Sequence, residues 1–171
     1  MIFRKTTAGD IARIMEIAAQ AQERLREQAI DQWQDGYPTA DAFMRDIDSG
    51  SSYVVETDSQ VIATACISFD GEPTYRTIRD GAWPDDEPYA VIHRLAVDRG
   101  MLRRGIAAEI IAYAEMLCRL QRISSIRVDT HRDNTAMRRL LDRCGFTRCG
   151  RIRLDSGADR EAYCKRFAPE P

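Results

Sequence analysis

The segment of the sequence best suited to chemistry runs from Val91 to Ala107, where an apolar stretch meets a basic, glycine-containing one. The pattern predicts a strand up to Val97, and the residues after the glycine recur at helical spacing. A turn that leads into a helix leaves the first amides of that helix unpaired, at the positive end of the helix dipole. The sequence therefore predicts an anion-binding site at this turn.

The side chains of the turn also suit phosphate groups. Gly105 has no Cβ to hold a phosphate away from the backbone, and Ala107 is small. Arg103 and Arg104 add full positive charges, which strengthen hydrogen bonds to an anion. The spacing differs from that of the nucleotide P-loop and of GxGxxG, and neither motif occurs in the chain. We therefore expect the backbone of Leu102 to Ala107 to hold phosphates in a different way.

A histidine lies inside the apolar strand that precedes the turn. In an extended strand, His93 shares one face with Val91, Leu95 and Val97. An imidazole accepts protons near neutral pH, so His93 could serve as a general base. A histidine among aliphatic residues is also commonly a hydrogen-bonded core residue, and the pattern by itself favours that interpretation.

Hydrophobic spacing predicts strands and helices along the whole chain. The expected strands are Ile2–Arg4, Tyr53–Glu56, Val61–Phe69, Tyr89–Val97, Ser125–Asp129, Phe146–Leu154 and Arg160–Phe167. The expected helices run from Ile11 to about residue 28, and over Ala40–Ile47, Arg104–Leu120 and Asn134–Cys144. This order predicts an α/β fold with a mixed, mostly antiparallel sheet of about seven strands, covered on both faces by about four helices. Residues 70–88 are expected to form a long loop.

The composition is that of a soluble globular protein. The chain has 171 residues, 44% of them hydrophobic and 30% charged, which suits one domain over residues 1–171. The N-terminus lacks the apolar core of a signal peptide, and no run approaches ~18 apolar residues, so we expect a cytoplasmic protein that does not contact a membrane. Five cysteines without CxxC spacing and only two histidines predict reduced, unreactive thiols and no metal site.

Charge is distributed unevenly along the chain. Acidic residues outnumber basic ones up to His93, and the balance reverses after it. A basic half suits a polyanion, either a nucleic acid or a phosphorylated cofactor, and an acidic half suits a cationic amine. The arginines between Arg94 and Arg153 lack interleaved aromatic residues, which argues against a nucleic-acid partner. Solvated charge scattered over the surface is the plain alternative.

Three stretches of the sequence resemble the GNAT acetyltransferase superfamily. The turn Leu102-Arg-Arg-Gly-Ile-Ala107 resembles its signature of Gln or Arg, two residues, Gly, one residue, then Gly or Ala. The strand Ile92–Val97 and the stretch Asn134–Phe146, which ends in Gly-Phe, resemble two further patterns of the family. Leu102 departs from the first signature position, which we expect to cost one side-chain contact. The order of elements also agrees over residues 2–167.

The resemblance implies that the protein binds acetyl-coenzyme A (acetyl-CoA) and transfers its acetyl group to an amine by direct attack on the thioester. Strand backbone groups would hold the pantetheine arm and steady the thioester oxygen, while the turn would hold the pyrophosphate. The implied cofactor-binding residues are Leu95, Ala96, Val97, Leu102, Arg103, Arg104, Gly105, Ile106, Ala107 and Asn134. For Asn134, a plain helix N-cap is the alternative, and the two roles are compatible.

The resemblance also bears on proton transfer. In arylalkylamine N-acetyltransferases, which the strand resembles, the histidine before Leu-Ala-Val is a proposed proton acceptor, and this implies the same role for His93. Many family members protonate the departing thiolate with a tyrosine, but the matching residue here is Leu141. Tyr163 or a water molecule could replace that tyrosine, or the thiolate could leave unaided.

The sequence leaves the acceptor amine open. Trp33, Tyr37 and the acidic loop Asp70 to Glu87 are candidates for its pocket, because aromatic rings and carboxylates suit a cationic amine. The alternative, which the pattern slightly favours, is that the rings cover the edge of the core and the loop charges are solvated. Small molecules and peptides both qualify as acceptors, and a homodimer is the commonest assembly. The rival function is a coenzyme A (CoA) binding protein without turnover.

Overall fold

The computed structural model describes residues 1–167. Within this range the strands are β1 (Ile2–Lys5), β2 (Ser52–Thr57), β3 (Gln60–Ser68), β4 (Ala90–Val97), β5 (Ser125–Thr130), β6 (Thr147–Arg153) and β7 (Asp159–Arg166). The α-helices are α1 (Ile11–Glu27), α2 (Ala40–Asp48), α3 (Ile106–Leu120) and α4 (Thr135–Arg143). Short 3-10 turns occupy Ala8–Asp10, Pro73–Arg76 and Arg99–Met101. The predicted order of elements is confirmed, with ends that shift by one or two residues.

The strands of the described range form a seven-stranded sheet in the order β1-β2-β3-β4-β5-β7-β6. The pairs β1/β2, β2/β3, β5/β7 and β6/β7 are antiparallel, and β4 runs parallel to β5. The predicted mixed, mostly antiparallel sheet is therefore confirmed. The β2–β3 hairpin closes through Asp58 and Ser59, whose φ angles of 49° and 61° match the twist of the strands that they join.

The chain divides into two compact units. Within the described residues, the first unit comprises 1–67 and 93–110, and the second comprises 68–92 and 111–167. In the first unit, α1 presents apolar residues at spacings of three or four, the period of one helix face. The buried residues of this core are Ile14, Ile17, Ala18, Ala21, Phe43, Val54, Val61 and Ala96. Burial of this stripe joins α1 and α2 to β2, β3 and β4.

The core of the second unit includes part of the segment that the sequence predicts as a long loop. Its buried residues are Tyr75, Val91, Ile152 and Ala162, and Ile78, Trp83, Tyr89 and Leu154 pack against them. Residues 70–88 do lack a long helix or strand, as expected. They are nevertheless anchored, because this segment buries apolar side chains of its own.

Backbone contacts fix the same segment to β6. Arg79 and Arg151 exchange two main-chain hydrogen bonds, each 2.8 Å long. A Cβ on Gly150 would lie 2.6 Å from the Arg79 oxygen, and a Cβ on Gly81 would lie 1.9 Å from the Cys149 oxygen. Both positions therefore require glycine for close approach of two backbones.

We expect Gly150→Ala to lower the free energy of unfolding by about 2–4 kcal/mol, because the new methyl group meets backbone that cannot move away and φ is +155°. Gly157→Ala is the matched control, since Gly157 also has positive φ (+86°) but has no atom within 4 Å of the added Cβ. Chemical denaturation measures both. Equal losses for the two variants would contradict the close approach.

Candidate active site

An irregular residue lies in the middle of β4. Arg94 has a φ of 51°, in the left-handed region that a side chain disfavours by roughly 1–2 kcal/mol. The three residues His93, Arg94 and Leu95 are all half-buried, between buried residues on either side. The expected placement of His93 and Leu95 on one face with Val91 assumes a regular strand, and a left-handed residue departs from that geometry.

The side chain of Arg94 is held by two partners in the first unit. Its Nε donates to Oδ2 of Asp46 at 2.6 Å and its Nη2 donates to Oδ1 at 2.5 Å, a bidentate pair. Its Nη1 donates to the hydroxyl of Tyr37. The side chains of Arg94 and Asp46 are only 15% and 10% exposed, so water weakens the ion pair little.

Burial and charge together set the protonation of this cluster. Burial opposes the charge on Arg94, but the hydrogen bonds that Arg94 donates to Asp46 and the charges around it raise the pKa of the guanidinium above its usual value. Burial also raises the pKa of Tyr37, against the opposing effect of Arg94. At neutral pH the guanidinium is therefore charged and the phenol is neutral.

Helix α1 positions the turn that follows β4. Asp98 caps the 3-10 turn by accepting from the amide of Gly100 at 2.8 Å. The same carboxylate accepts from Nη2 of Arg13 at 2.7 Å and from the amide of the Gln20 side chain at 3.2 Å. Gln20 Oε1 in turn accepts from the amide of Arg99 at 2.7 Å. Two side chains of α1 thus fix the backbone that enters the predicted anion site.

The turn itself presents main-chain donors. Arg103 and Gly105 have φ angles of 62° and 81°, which bend the chain and delay α3 to Ile106 rather than the expected Arg104. Glu109 donates to the oxygen of Gly105 at 3.0 Å. This is the first main-chain hydrogen bond of α3, and the amides just before Glu109 lie where a helix start leaves donors without an intrahelical acceptor.

The space beside these amides is open. A Cβ on Gly105 would have no atom within 4 Å, and Arg103 and Arg104 are exposed at its sides. A cavity of about 390 Å³ lies against the same turn, and Arg13, Asp58, Asp98 and Arg104 contribute to its wall. Free amides, two exposed guanidinium groups and an unobstructed glycine fit a diphosphate.

The predicted site residues fall in both units. The first unit contains His93, Leu95, Ala96, Val97, the turn 102–107, Trp33 and Tyr37. Trp33 packs against the core of this unit and meets the Tyr37 ring edge-on, with centroids 6.4 Å apart. Of the predicted acceptor residues, Tyr37 is the one that the structure joins to β4, through Arg94.

Asn134 and Tyr163 lie in the second unit. Asn134 is the N-cap of α4, where its Oδ1 accepts from the amide of Met137 at 3.1 Å. Tyr163 is 2% exposed, and its hydroxyl accepts from Nε of Arg138 at 3.1 Å. The N-cap role considered for Asn134 is therefore present, and Tyr163 is a buried phenol with a cationic neighbour.

Two of the six acidic residues from Asp70 to Glu87 are paired with arginine. Asp80 accepts from Nε of Arg151 at 2.6 Å. Asp85 lies 3.2 Å from Nε of Arg166 and 3.7 Å from Nη2 of Arg127. These ion pairs reduce the attraction that the loop could exert on a cationic amine.

Cys149 differs from the unreactive thiol that the sequence suggests. It is half-buried at the irregularity in the β6/β7 register between Arg148 and Gly150. A hydrogen bond with Cys164 lowers the pKa of Cys149 to about 7 and raises that of Cys164. The pattern of cysteines along the chain contains no signal for this pairing, because it depends on the register of two strands.

Sequence reasoning also missed Asp46, Arg94, Arg13 and Asp98. Arg94 could have been noticed as a charge within an apolar strand. Asp46 and Arg13 gave no signal, because their partners lie 48 and 85 residues away along the chain.

Residues 1–167 contain no cluster of three or more histidine, cysteine or acidic residues that could hold a metal ion. Among the helices within the same range, none combines the length and apolar character needed to cross a bilayer.

The chain matches the Acetyltransferase (GNAT) family over residues 18–146 and belongs to that family. Members of this family use acetyl-CoA as the acyl donor. No curated protein matches the chain in sequence.

Solved structures of other proteins share the fold. A GNAT family acetyltransferase from Streptococcus agalactiae 2603 has a TM-score of 0.87 and 29% identity, over 98% of this chain and 95% of that one. PaiA N-acetyltransferase from Thermoplasma acidophilum, in complex with coenzyme A, has a TM-score of 0.73 and 15% identity, over 97% and 98%. YncA from Salmonella typhimurium, with its cofactor acetyl-CoA, has a TM-score of 0.70 and 16% identity, over 100% and 96%.

We expect Gly105→Val to raise the Kd for CoA by about 10- to 100-fold, because a branched side chain would occupy the open space beside the amides and disfavour their geometry. Gly157→Val is the matched control, since Gly157 has a similar φ (+86°) and open surroundings but lies in the β6–β7 turn. Isothermal titration calorimetry measures both. An unchanged Kd for Gly105→Val would refute the placement of the anion site.

We expect iodoacetamide to alkylate Cys149 with a midpoint near pH 7, because the thiolate is the nucleophile and its fraction rises with pH through the pKa. Peptide mapping by mass spectrometry follows the rate, and Cys149→Ser should abolish this phase. A midpoint near pH 9, the ordinary value, would show that Cys164 does not stabilise the thiolate.

Proposed function

We propose that the protein transfers the acetyl group of acetyl-CoA to a primary amine. The observation that carries the proposal is the turn 102–107, where α3 begins beside two exposed arginines and an unobstructed glycine. Membership of the GNAT family supports the choice of donor. The CoA and acetyl-CoA in the PaiA and YncA structures belong to those proteins, whose identities to this chain are 15% and 16% and support the fold alone.

Each part of the donor has a proposed partner in this chain. The amides of residues 103–108 would bind the pyrophosphate, and the main chain of Leu95 and Val97 would bind the pantetheine arm. Asn134 would add a side-chain hydrogen bond while it caps α4. When bound, acetyl-CoA supplies an activated thioester carbonyl.

His93 is the proposed general base. An amine nucleophile must lose a proton in order to form an amide, and imidazole accepts protons near neutral pH. His93 is half-buried and adjoins the left-handed Arg94, in the part of β4 whose side chains are neither fully buried nor fully exposed. It could accept the proton directly or through a water molecule.

Tyr163 is the proposed proton donor to the departing thiolate. Its hydroxyl accepts a hydrogen bond from the cationic Arg138, so its own proton can be donated elsewhere. Its 2% exposure requires that the proton reach the thiolate through the protein interior. Departure of the thiolate without an acid is the alternative.

Trp33 and Tyr37 are the proposed contacts of the acceptor amine. Their rings lie edge to face, and aromatic faces attract ammonium groups. The pairing of Asp80 and Asp85 with arginines removes part of the support for an acidic loop in this role. Small-molecule and peptide amines both fit these requirements.

A CoA-binding protein without turnover is the second candidate, and one observation favours it. Leu141, at the position where many family members have the catalytic tyrosine, is 1% exposed and belongs to the interior. A thiol-release screen with acetyl-CoA and amines of graded size and charge separates the two functions. Thiol release that is faster with an amine than the hydrolysis of acetyl-CoA alone supports acetyl transfer. Thermal stabilisation of the protein by CoA, without amine-dependent thiol release for any amine, supports the second candidate.

We expect His93→Ala to lower kcat by about 100- to 10,000-fold while the Kd for CoA changes less than threefold, because a general base acts in the chemical step. Steady-state kinetics and calorimetry provide the two values. Added imidazole should restore part of the rate. Equal effects on kcat and on CoA binding would reject His93 as the base.

A further inference from the structure

Arg94 combines a strained backbone with a tightly held side chain. Its φ of 51° is one that arginine rarely adopts, and it lies within a strand rather than in a turn. Strained backbone conformations of this kind persist where surrounding contacts hold the residue in place, and they occur most often at functional sites. The side chain of Arg94 makes contacts that could enforce this one.

Those contacts come from a segment of the chain remote in sequence. Asp46 lies in α2, and Tyr37 lies in the residues before α2. Three hydrogen bonds join them to the Arg94 guanidinium, two to the Asp46 carboxylate and one to the Tyr37 hydroxyl. Their direction is fixed because a guanidinium and a carboxylate meet in one plane. The side chain of Arg94 is therefore anchored at three points.

The anchored side chain acts on the residues that flank it. His93 and Leu95, on either side of Arg94, are the proposed base and a proposed contact of the pantetheine arm. A change of φ at residue 94 from the left-handed to the extended region would rotate the peptide group between residues 93 and 94 relative to Leu95. The orientation of both neighbours thus depends on the backbone of Arg94.

We propose that Asp46 and Tyr37 are positioning residues, which hold the backbone of Arg94 in its left-handed conformation and thereby orient His93 and Leu95 for acyl transfer. This inference rests on the proposed function for its consequence, although not for the conformation itself. The alternative is that the Arg94–Asp46 ion pair is solely structural. It would then stabilise the fold, and the backbone conformation of residue 94 would not affect acyl transfer.

The test compares Arg94→Gly with Arg94→Ala. Both variants lose every side-chain contact, but glycine adopts positive φ freely, whereas alanine does not. We expect Arg94→Gly to retain a kcat/KM about 5- to 30-fold above that of Arg94→Ala, the factor that corresponds to the left-handed penalty of a Cβ. Equal kcat/KM in the two variants would overturn the proposal.

Arg122 provides the matched control pair. It is also an arginine with positive φ (58°), and it directly follows the last turn of α3. Arg122→Gly and Arg122→Ala should have the same kcat/KM as each other. A glycine advantage of equal size at residue 122 would mean that the effect at residue 94 is not specific to β4, and it would also overturn the proposal.

A second measurement does not depend on activity. Hydrogen exchange of the β4 amides in the free protein should be faster in Asp46→Asn and in Tyr37→Phe than in the wild type, because the backbone of residue 94 loses part of its restraint. Unchanged exchange in both variants would overturn the proposal. If the wild type releases no thiol with any amine, the proposed function fails, and the exchange data still decide whether the restraint exists.

Discussion

Helix α3 begins at an open, glycine-containing turn, and its first main-chain hydrogen bond runs from Glu109 to Gly105. The first amides of a helix have no acceptor inside that helix. A helix start that is open to solvent therefore favours the binding of an anion. The positive φ angles of Arg103 and Gly105 keep this start open by turning the chain before the helix begins. The rest of the first unit can be understood as support for this geometry.

That support comes from both helices of the first unit that precede β2. Through Arg13 and Gln20, α1 holds Asp98 and the 3-10 turn. Through Asp46, α2 holds Arg94 within β4. Each helix is in turn held by an apolar stripe in the core. Hydrophobic burial therefore provides the stability, and the ion pairs Arg13–Asp98 and Arg94–Asp46 define the backbone path from β4 to α3.

In the second unit, a long segment that lacks a long helix or strand is ordered by contacts with the core and with β6. Tyr75 anchors residues 70–88 in the core, and the backbone pair Arg79–Arg151 attaches them to β6. The guanidinium of Arg127 lies 4.4 Å from the Trp83 ring centre and 3.8 Å from that of Tyr89, so its charge is buried against aromatic faces. Ion pairs of Asp80 with Arg151 and of Asp85 with Arg166 add to this attachment.

The sequence by itself determined the features that depend on neighbouring residues. Period-two and period-3.6 patterns predicted the order of strands and helices, and the consecutive residues 102–107 predicted the anion site, because a turn and its helix start are local structures. The family pattern within the same residues predicted the GNAT fold and its donor.

Tertiary structure alone decided which distant side chains meet. The left-handed Arg94, its bond to Asp46 across 48 residues, and the pairing of Cys149 with Cys164 follow from how elements pack and register. Local sequence patterns predict which residues are buried, but they do not predict which distant residue each side chain contacts. The ion pair of Asp46 and the lowered pKa of Cys149 could therefore be understood only when the packed elements brought their partners beside them.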